Sequence, residues 1–287
     1  RRRQPGVRER GRQKNRPILE MSAGEASGGE ARKALQGVGF AEDTNIRFRR
    51  TMEDSHVILD GFRDRPEEAF LGVFDGHGGA DAANMTADEL PKCLEKELAK
   101  SDITPTQALH NAFLEMDKKL AEEDMKYMGC TAVVCFLELR EDGVRFLHTA
   151  NAGDARAVLC RNGKPERLSY DHKANDPAEV ERIRKAEGFV ANGRVNGFLA
   201  VARSLGDHAL KTWVPGEPFT STVQVDTPAE KNILILACDG LWDVISDEEA
   251  CELVQGMSNA QEIADKLLKA SLDAGTMDNV SVCVAIL

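Results

Sequence analysis

Two apolar runs, Phe70-Leu71-Gly72-Val73-Phe74 and Ile233-Leu234-Ile235-Leu236-Ala237-Cys238, each end on an aspartate followed by glycine, Asp75-Gly76 and Asp239-Gly240. Runs without a polar position predict buried central strands, so each carboxylate is delivered to a sheet end with buried surroundings, where an unpaired charge is expensive. Two more acidic segments, Arg49 to Asp54 and Asp278-Asn279, flank apolar stretches. Carboxylates collected at strand ends repel one another unless hard cations such as Mg²⁺ or Mn²⁺ neutralise them. That chemistry points to phosphate. The plainer alternatives are a helix N-cap for Asp75, a turn or Asx motif for Asp278, and a solvated surface pair for Arg49 and Arg50.

The remaining pattern predicts the class. Strands are expected at Ser55 to Asp60 and Ala69 to Asp75, then helices at Ala80 to Ala99 and Thr106 to Glu122, the latter started by Thr104-Pro105. Four β segments follow, Cys130 to Leu139, Val144 to Ala152, Ala155 to Arg161 and Lys164 to Leu168, with hairpin turns at Glu141-Asp142-Gly143 and Arg161-Asn162-Gly163. A helix over Pro177 to Glu187 leads into a Gly-rich stretch expected to form a flap within about 174–221. Strands at Phe219 to Asp226 and Asn232 to Asp239, helices at Asp247 to Gln255 and Asn259 to Leu272, and a closing strand at Val280 to Leu287 complete the chain. This order is α+β rather than regular βαβ alternation, in one domain from residue 35 to 287.

Residues 1 to 16 hold seven Arg and one Lys against Glu9, net +7, so the chain's −11 leaves −18 on the rest. An acidic body disfavours nucleic acid as main partner and suits cation binding. Residues 1–34, rich in Arg, Gly, Ser and Glu, read as a disordered basic arm. No stretch approaches the roughly 20 apolar residues of a membrane helix. Seven cysteines without a C-x-x-C pair, most inside apolar runs, read as small buried residues of a reducing compartment, cytoplasmic and/or nuclear. None has an arginine six positions later, which argues against thiol-based phosphate chemistry.

Two cations about 3.5–4 Å apart can clamp a phosphoryl oxygen and acidify an attacking water. The charge that develops on the phosphoryl group asks for a guanidinium, which Arg49 or Arg50 can supply. His77, just after the Asp75 turn, is placed to protonate a leaving oxygen. His110 reads as a helix-surface or packing residue and His148 as a satisfied core histidine; His56, His172 and His208 are left open.

Collected, these residues resemble the metal-dependent Ser/Thr protein phosphatases of type 2C, the PPM family, from about residue 36 to the end. The resemblance rests on Arg49 to Asp54, Phe74 to Gly79, Gly129 to Ala132, Asn151 to Arg156, Asp171-His172-Lys173, Leu199 to Asp207, Asp239 to Asp243 and Asp278-Asn279-Val280, in that order. It implies a four-layer αββα sandwich of two stacked antiparallel sheets flanked by helices, with two Mn²⁺ or Mg²⁺ ions between the sheets at one end. By the same resemblance Asp75 bridges the ions, Gly76 gives a carbonyl, Asp239 and Asp278 complete the first ion's carboxylates, and Glu53 holds the second through water. Asp54 orients the nucleophile, Arg49 grips phosphate, His77 is the general acid, and Asp154 with Asp239 lines a weaker third site. Asp207 is left as a structural residue. Cys130, Ala155, Ala202 and Glu187 depart from common family residues without removing a ligand, Glu187 standing where Gly is frequent. The wording of Asp171 to Asp176 and Val195 to Asp207 is similar to compact fungal-type members acting on stress-activated MAP kinases. The implied partner set is therefore phosphoproteins bound by a monomer. A scaffold lacking hydrolysis and an unrelated two-metal hydrolase of small esters are the competing readings.

Overall fold

The computed structural model describes residues 34–123, 125–225 and 232–287. Apart from Ala34, the basic arm expected over 1–34 lies outside them. The strands are β1 (Gly37–Asp43), β2 (Ser55–Asp60), β3 (Ala69–His77), β4 (Gly129–Leu139), β5 (Arg145–Ala152), β6 (Arg156–Arg161), β7 (Lys164–Arg167), β8 (Val190–Ala191), β9 (Arg194–Val195), β10 (Leu205–Gly206), β11 (Phe219–Gln224), β12 (Asn232–Ala237) and β13 (Val280–Ile286). The helices are α1 (Asp81–Leu98), α2 (Pro105–Glu122), α3 (Pro177–Lys185), α4 (Asp239–Trp242), α5 (Asp247–Val254) and α6 (Ala260–Asp273).

Two antiparallel sheets stack, one in the order β1-β13-β12-β6-β7, the other β11-β5-β4-β3-β2 with β10 added on β4. The apolar runs are central because both of their faces are covered. Along β3, Phe70 and Phe74 pack toward α1 and α2, while Ala69, Leu71 and Val73 pack between the sheets. Along β12, Ile233, Ile235 and Ala237 pack toward α5 and α6, and Leu234, Leu236 and Cys238 join the inter-sheet core. Period-2 side-chain alternation thus builds three apolar layers between four structural layers. The expected α+β four-layer sandwich is what the chain forms.

Local signals explain the helix starts. Thr104 accepts from the Gln107 backbone N–H with Pro105 in the first turn, Asp176 caps α3 ahead of Pro177, and Ser246 with Glu249 forms a reciprocal capping box on α5. Three features differ from expectation. Strand β1 was not predicted: Gly37 and Gly39 weaken its pattern, yet a Cβ on Gly39 would sit 2.5 Å from the Ala260 backbone, so bare backbone is needed where α6 begins. The flap stretch contains the β8–β9 hairpin and its own small core of Ala174, Ile183, Val195, Ala202 and Val214. Third, Cys160 and Cys251 form a disulfide joining β6 to α5, contrary to the expectation of seven unpaired thiols. Their separation of 91 residues gives no spacing signal, and pairing follows only from the packing of α5 on this sheet. The other five cysteines are free and buried, as expected.

Glu187 adopts φ 60°, a left-handed conformation that glycine takes without strain. His172, just before the small core of Ala174, Ile183, Val195, Ala202 and Val214, is 2% exposed with its backbone N–H donated to Gly153 O. Burial, with the Arg203 guanidinium behind it, pushes its imidazole down to about 4, against the opposing carboxylates of Glu179 and Asp171. The unfolded chain binds that proton near the ordinary value of about 6.5, so protons favour unfolding between the two. Stability present above pH 6.5 is lost as the pH falls toward 4, by up to ~3 kcal/mol. His172→Gln is therefore expected to flatten the acid side of the stability profile. Urea unfolding of both proteins from pH 7 to 4.5 checks this, and parallel profiles would refute it.

Candidate metal and phosphate site

Register brings the acidic motifs to one end of the sandwich. Ser55, just after Asp54, pairs with Phe74, just before Asp75; Ala237, two before Asp239, pairs with Val282 near the start of β13, which follows Asp278. Ala237 also pairs with Arg156 at the start of β6, so Asp154 arrives at the same end. Asp75 is no helix cap, since Ala80 holds the N-cap position of α1 and makes no side-chain cap bond.

Asp54, Asp75 and Cys238 present ligand atoms all within 4.8 Å of one another. Burial dominates every titration here. It drives Asp54 up to about 7, with Asp239 and Asp278 adding repulsion against the polar hydrogens of Ser281 and Cys238. It drives Asp154 to about 8, Asp239 adding to it and Lys173 opposing it, and Asp239 to about 6, where Asp278 and Asp243 repel. Asp75 rises well above the carboxylate range, first by burial and then by Asp54, Asp239, Asp154 and Asp278. These groups are costly to ionise in the bare protein.

The donor set fits hard divalent cations. Asp54 Oδ2, Asp154 Oδ1 and Asp239 Oδ1 are buried without a hydrogen-bond partner, and such orphaned carboxylate oxygens call for a counter-charge. Cys238 is not a matching ligand: burial and the surrounding carboxylates push its thiol up, its sulfur accepts the Ser281 N–H at 3.2 Å, and sulfur suits softer metals. Two other predicted residues stand at the margin. Glu53 accepts from Thr51 Oγ1 at 3.1 Å and from the Gly79 N–H at 3.3 Å, and Arg49 is ion-paired to Asp278. Gly76 lies against Glu53, whose carbonyl oxygen would be 2.2 Å from a Cβ at position 76. The nine residues expected to form the site therefore share one end of the fold, with Arg49 and Asp278 on hydrogen-bonded loops.

His77 is half-buried, and its Nε2 lies 2.6 Å from Asp207 Oδ2. Two other histidines have local partners: His148 bridges Thr222 and Glu138, as expected of a satisfied core residue, and His56 stacks on Phe40. His208 lies 3.9 Å from Asp117, and His110 is part-exposed on α2.

Residues outside the expected site also bear on it. Lys173 donates to Asp243 at 2.5 Å and lies 3.9 Å from Asp154, making it a counter-charge of the acidic end. Asn279 is a hub: its Nδ2 donates to the Thr44 and Thr51 carbonyls, and its Oδ1 accepts the Glu53 N–H. Both stand inside quoted motifs, but nothing in the spacing marks them as partners of residues more than 65 positions away.

The sequence pattern described as Protein phosphatase 2C matches residues 38–280. Protein phosphatase 2C homolog 1 of Saccharomyces cerevisiae is 41% identical over 263 residues, covering 87% of this chain and 93% of that protein. The chain belongs to the protein phosphatase 2C family. A second phosphatase 2C homolog 1, from Schizosaccharomyces pombe, is 41% identical over 249 residues, with 86% of this chain and 72% of the relative covered. Among solved structures, a sex-determining protein of C. elegans superposes with a TM-score of 0.77 at 26% identity, covering 87% of this chain and 64% of that one. A phosphatase from Toxoplasma gondii superposes with a TM-score of 0.75 at 23% identity, covering 86% and 91%. This phosphatase 2C is thus a metal-dependent hydrolase with serine/threonine protein phosphatase activity, a family that generally uses Mn²⁺ or Mg²⁺. No helix among the described residues is long and apolar enough to cross a membrane.

Proposed function

We propose that the acidic end hydrolyses phosphoserine and phosphothreonine in proteins with Mn²⁺ or Mg²⁺ held by Asp75, the Gly76 carbonyl, Asp239, Asp278 and Glu53, and a weaker third ion near Asp154 and Asp239. The observation that carries this reading is the convergence of buried carboxylates whose oxygens lack partners. Bound there, the cations supply positive charge to the phosphoryl oxygens and lower the pKa of an attacking water. Asp54, buried beside Asp75, accepts a hydrogen bond from that water and aims it. Arg49, half-exposed at the rim, exchanges part of its pairing with Asp278 for the substrate phosphate, where a planar guanidinium matches two oxygens. His77 gives a proton to the departing serine or threonine oxygen, a leaving group too basic to depart unaided.

The unit carrying this activity is residues 35–287, with the lobe at about 174–221 acting as a flap beside the site. Stress-activated MAP kinases are the substrates suggested by the resemblance to compact fungal-type members, and the protein acts as a monomer without nucleic acid. A cytoplasmic and/or nuclear location is supported by the five free thiols; the Cys160–Cys251 bridge counts against it. Phosphate release from a phosphothreonine peptide is expected to require Mn²⁺ or Mg²⁺ and to stop on chelation. A folded protein that binds the peptide without releasing phosphate under either metal would make it a scaffold instead.

A further inference from the structure

The loop carrying Asp207 is built with more constraint than a connection needs. Asp207 stands at φ 49°, a left-handed conformation that costs a non-glycine residue energy, and its carboxylate is almost fully buried. Its position is fixed from several directions. The Asp207 N–H donates to Met128 O at 2.9 Å, and Ser204 Oγ donates to Asp207 Oδ2 at 2.5 Å. The neighbouring Gly206 N–H donates to Asp117 Oδ1 at 2.9 Å, which also receives Lys211 Nζ. The same Oδ2 meets His77 Nε2 across 130 residues of sequence. Beneath the pair lies bare backbone: a Cβ on Gly129 would fall 2.2 Å from Asp207 Oδ2 and 2.8 Å from His77 Nε2. Strain, a buried charge and an excluded side chain thus converge on one hydrogen bond to a histidine at the mouth of the acidic end.

We propose that Asp207 is a positioning residue for catalysis: with Ser204 behind it and Gly129 beneath, it accepts the Nε2–H of His77, fixing the ring so that the Nδ1–H of the protonated imidazole meets the leaving oxygen of the substrate. This rests on the reading of His77 as the proton donor. Carboxylate support of a functional imidazole orients the ring and selects its tautomer, and loss of such support costs about 10–100-fold in comparable outer-shell pairs. A carboxylate kept only for packing would be poorly suited to this place, since a buried charge at a strained position is a net cost unless its partner needs it.

Leaving-group dependence tests the proposal in the full chain with Mn²⁺. A phosphothreonine peptide needs its alkoxide protonated, whereas p-nitrophenyl phosphate does not. His77→Gln is expected to lose on the order of 10²-fold in kcat on the peptide and far less on the nitrophenyl ester. Asp207→Asn, which keeps the shape and the tolerance for left-handed backbone, is expected to reproduce that asymmetry with a loss of about tenfold on the peptide. The double variant should lose no more than His77→Gln alone, because the two act as one unit. Equal losses on both substrates, or losses that multiply in the double variant, would overturn the positioning role. If His77→Gln itself shows no asymmetry, the proton-donor reading fails and takes the proposal with it; asymmetry in His77→Gln but not in Asp207→Asn sinks the proposal alone. Should Asp207→Asn fail to fold, Ser204→Ala decides: a smaller loss confined to the peptide supports the proposal, and an equal loss on both substrates overturns it.

Discussion

Asp239→Asn is expected to lower kcat on a phosphothreonine peptide by on the order of 10³-fold while raising the melting temperature of the metal-free protein. The first effect follows from removing a carboxylate from the cation-binding set, which forfeits several kcal/mol of charge stabilisation where each 1.36 kcal/mol is about tenfold. The second follows from the bare site. Burial and the charges of Asp278 and Asp243 raise Asp239 to about 6, above its unfolded value. A carboxyl with a raised folded pKa stabilises the fold only while protonated, so its contribution is lost as the pH rises through 6. At pH 7.5 the ionised group opposes folding, and a neutral amide of the same shape relieves that opposition. For a domain of this size each ~1 kcal/mol moves the melting temperature by about 2–4 °C. Added Mn²⁺ should reverse the order, stabilising the parent more than the variant, because only the parent keeps the full ligand set. Melting curves with chelator and with Mn²⁺, alongside peptide turnover, check both halves. Retained turnover would remove Asp239 from the site, and a variant less stable than the parent under chelation would show that the carboxylate is not held at a cost.

The same electrostatics explains what could be read before folding. The runs ending at Asp75 and Asp239 were legible because strands covered on both faces lose all polar positions, which leaves the terminal carboxylate conspicuous. Asp154 was legible only through family resemblance: locally Gly153-Asp154 is indistinguishable from a turn, and its arrival at the acidic end comes from β6 pairing with β12 there. Asp207 and Lys173 meet partners 130 and 70 residues away, His77 and Asp243, a proximity created by the chain's tertiary packing rather than by spacing. Likewise, Cys160 and Cys251 look like any two buried cysteines until α5 packs against its sheet. Strand β1 escaped because its glycines serve the helix that rests on it, and β8 to β10 because two-residue strands carry no period. Short-range chemistry was visible in the sequence, and long-range pairing was not.

Gly76→Ala is expected to be strongly damaging, destabilising the protein by about 1–3 kcal/mol or more and lowering peptide turnover by on the order of 10²-fold. The argument is steric. An added Cβ would lie 2.2 Å from the Glu53 carbonyl oxygen, 3.1 Å from the carbonyl carbon and 3.2 Å from the Ala83 Cβ. Two of these atoms are backbone, so no rotamer change relieves the contact. The Glu53 side cannot yield cheaply, because its N–H is anchored to Asn279 Oδ1 and Asn279 is itself tied to Thr44 and Thr51. The β3 side is held as well, since Gly76 pairs with Cys130 of β4. Strain must then spread into Asp75 on one side and Asp54 on the other, moving two carboxylates whose oxygens lie within 4.8 Å of each other. A comparison with Gly61→Ala separates this from a general intolerance of alanine. Gly61 has φ 84° but no atom within 4 Å of the added methyl, so only its backbone preference is lost, about 1 kcal/mol, with turnover unchanged. Urea unfolding and peptide turnover of the two variants, side by side, give the answer. If Gly76→Ala behaves like Gly61→Ala, the close approach of β3 to Glu53 is not what holds the carboxylates in place.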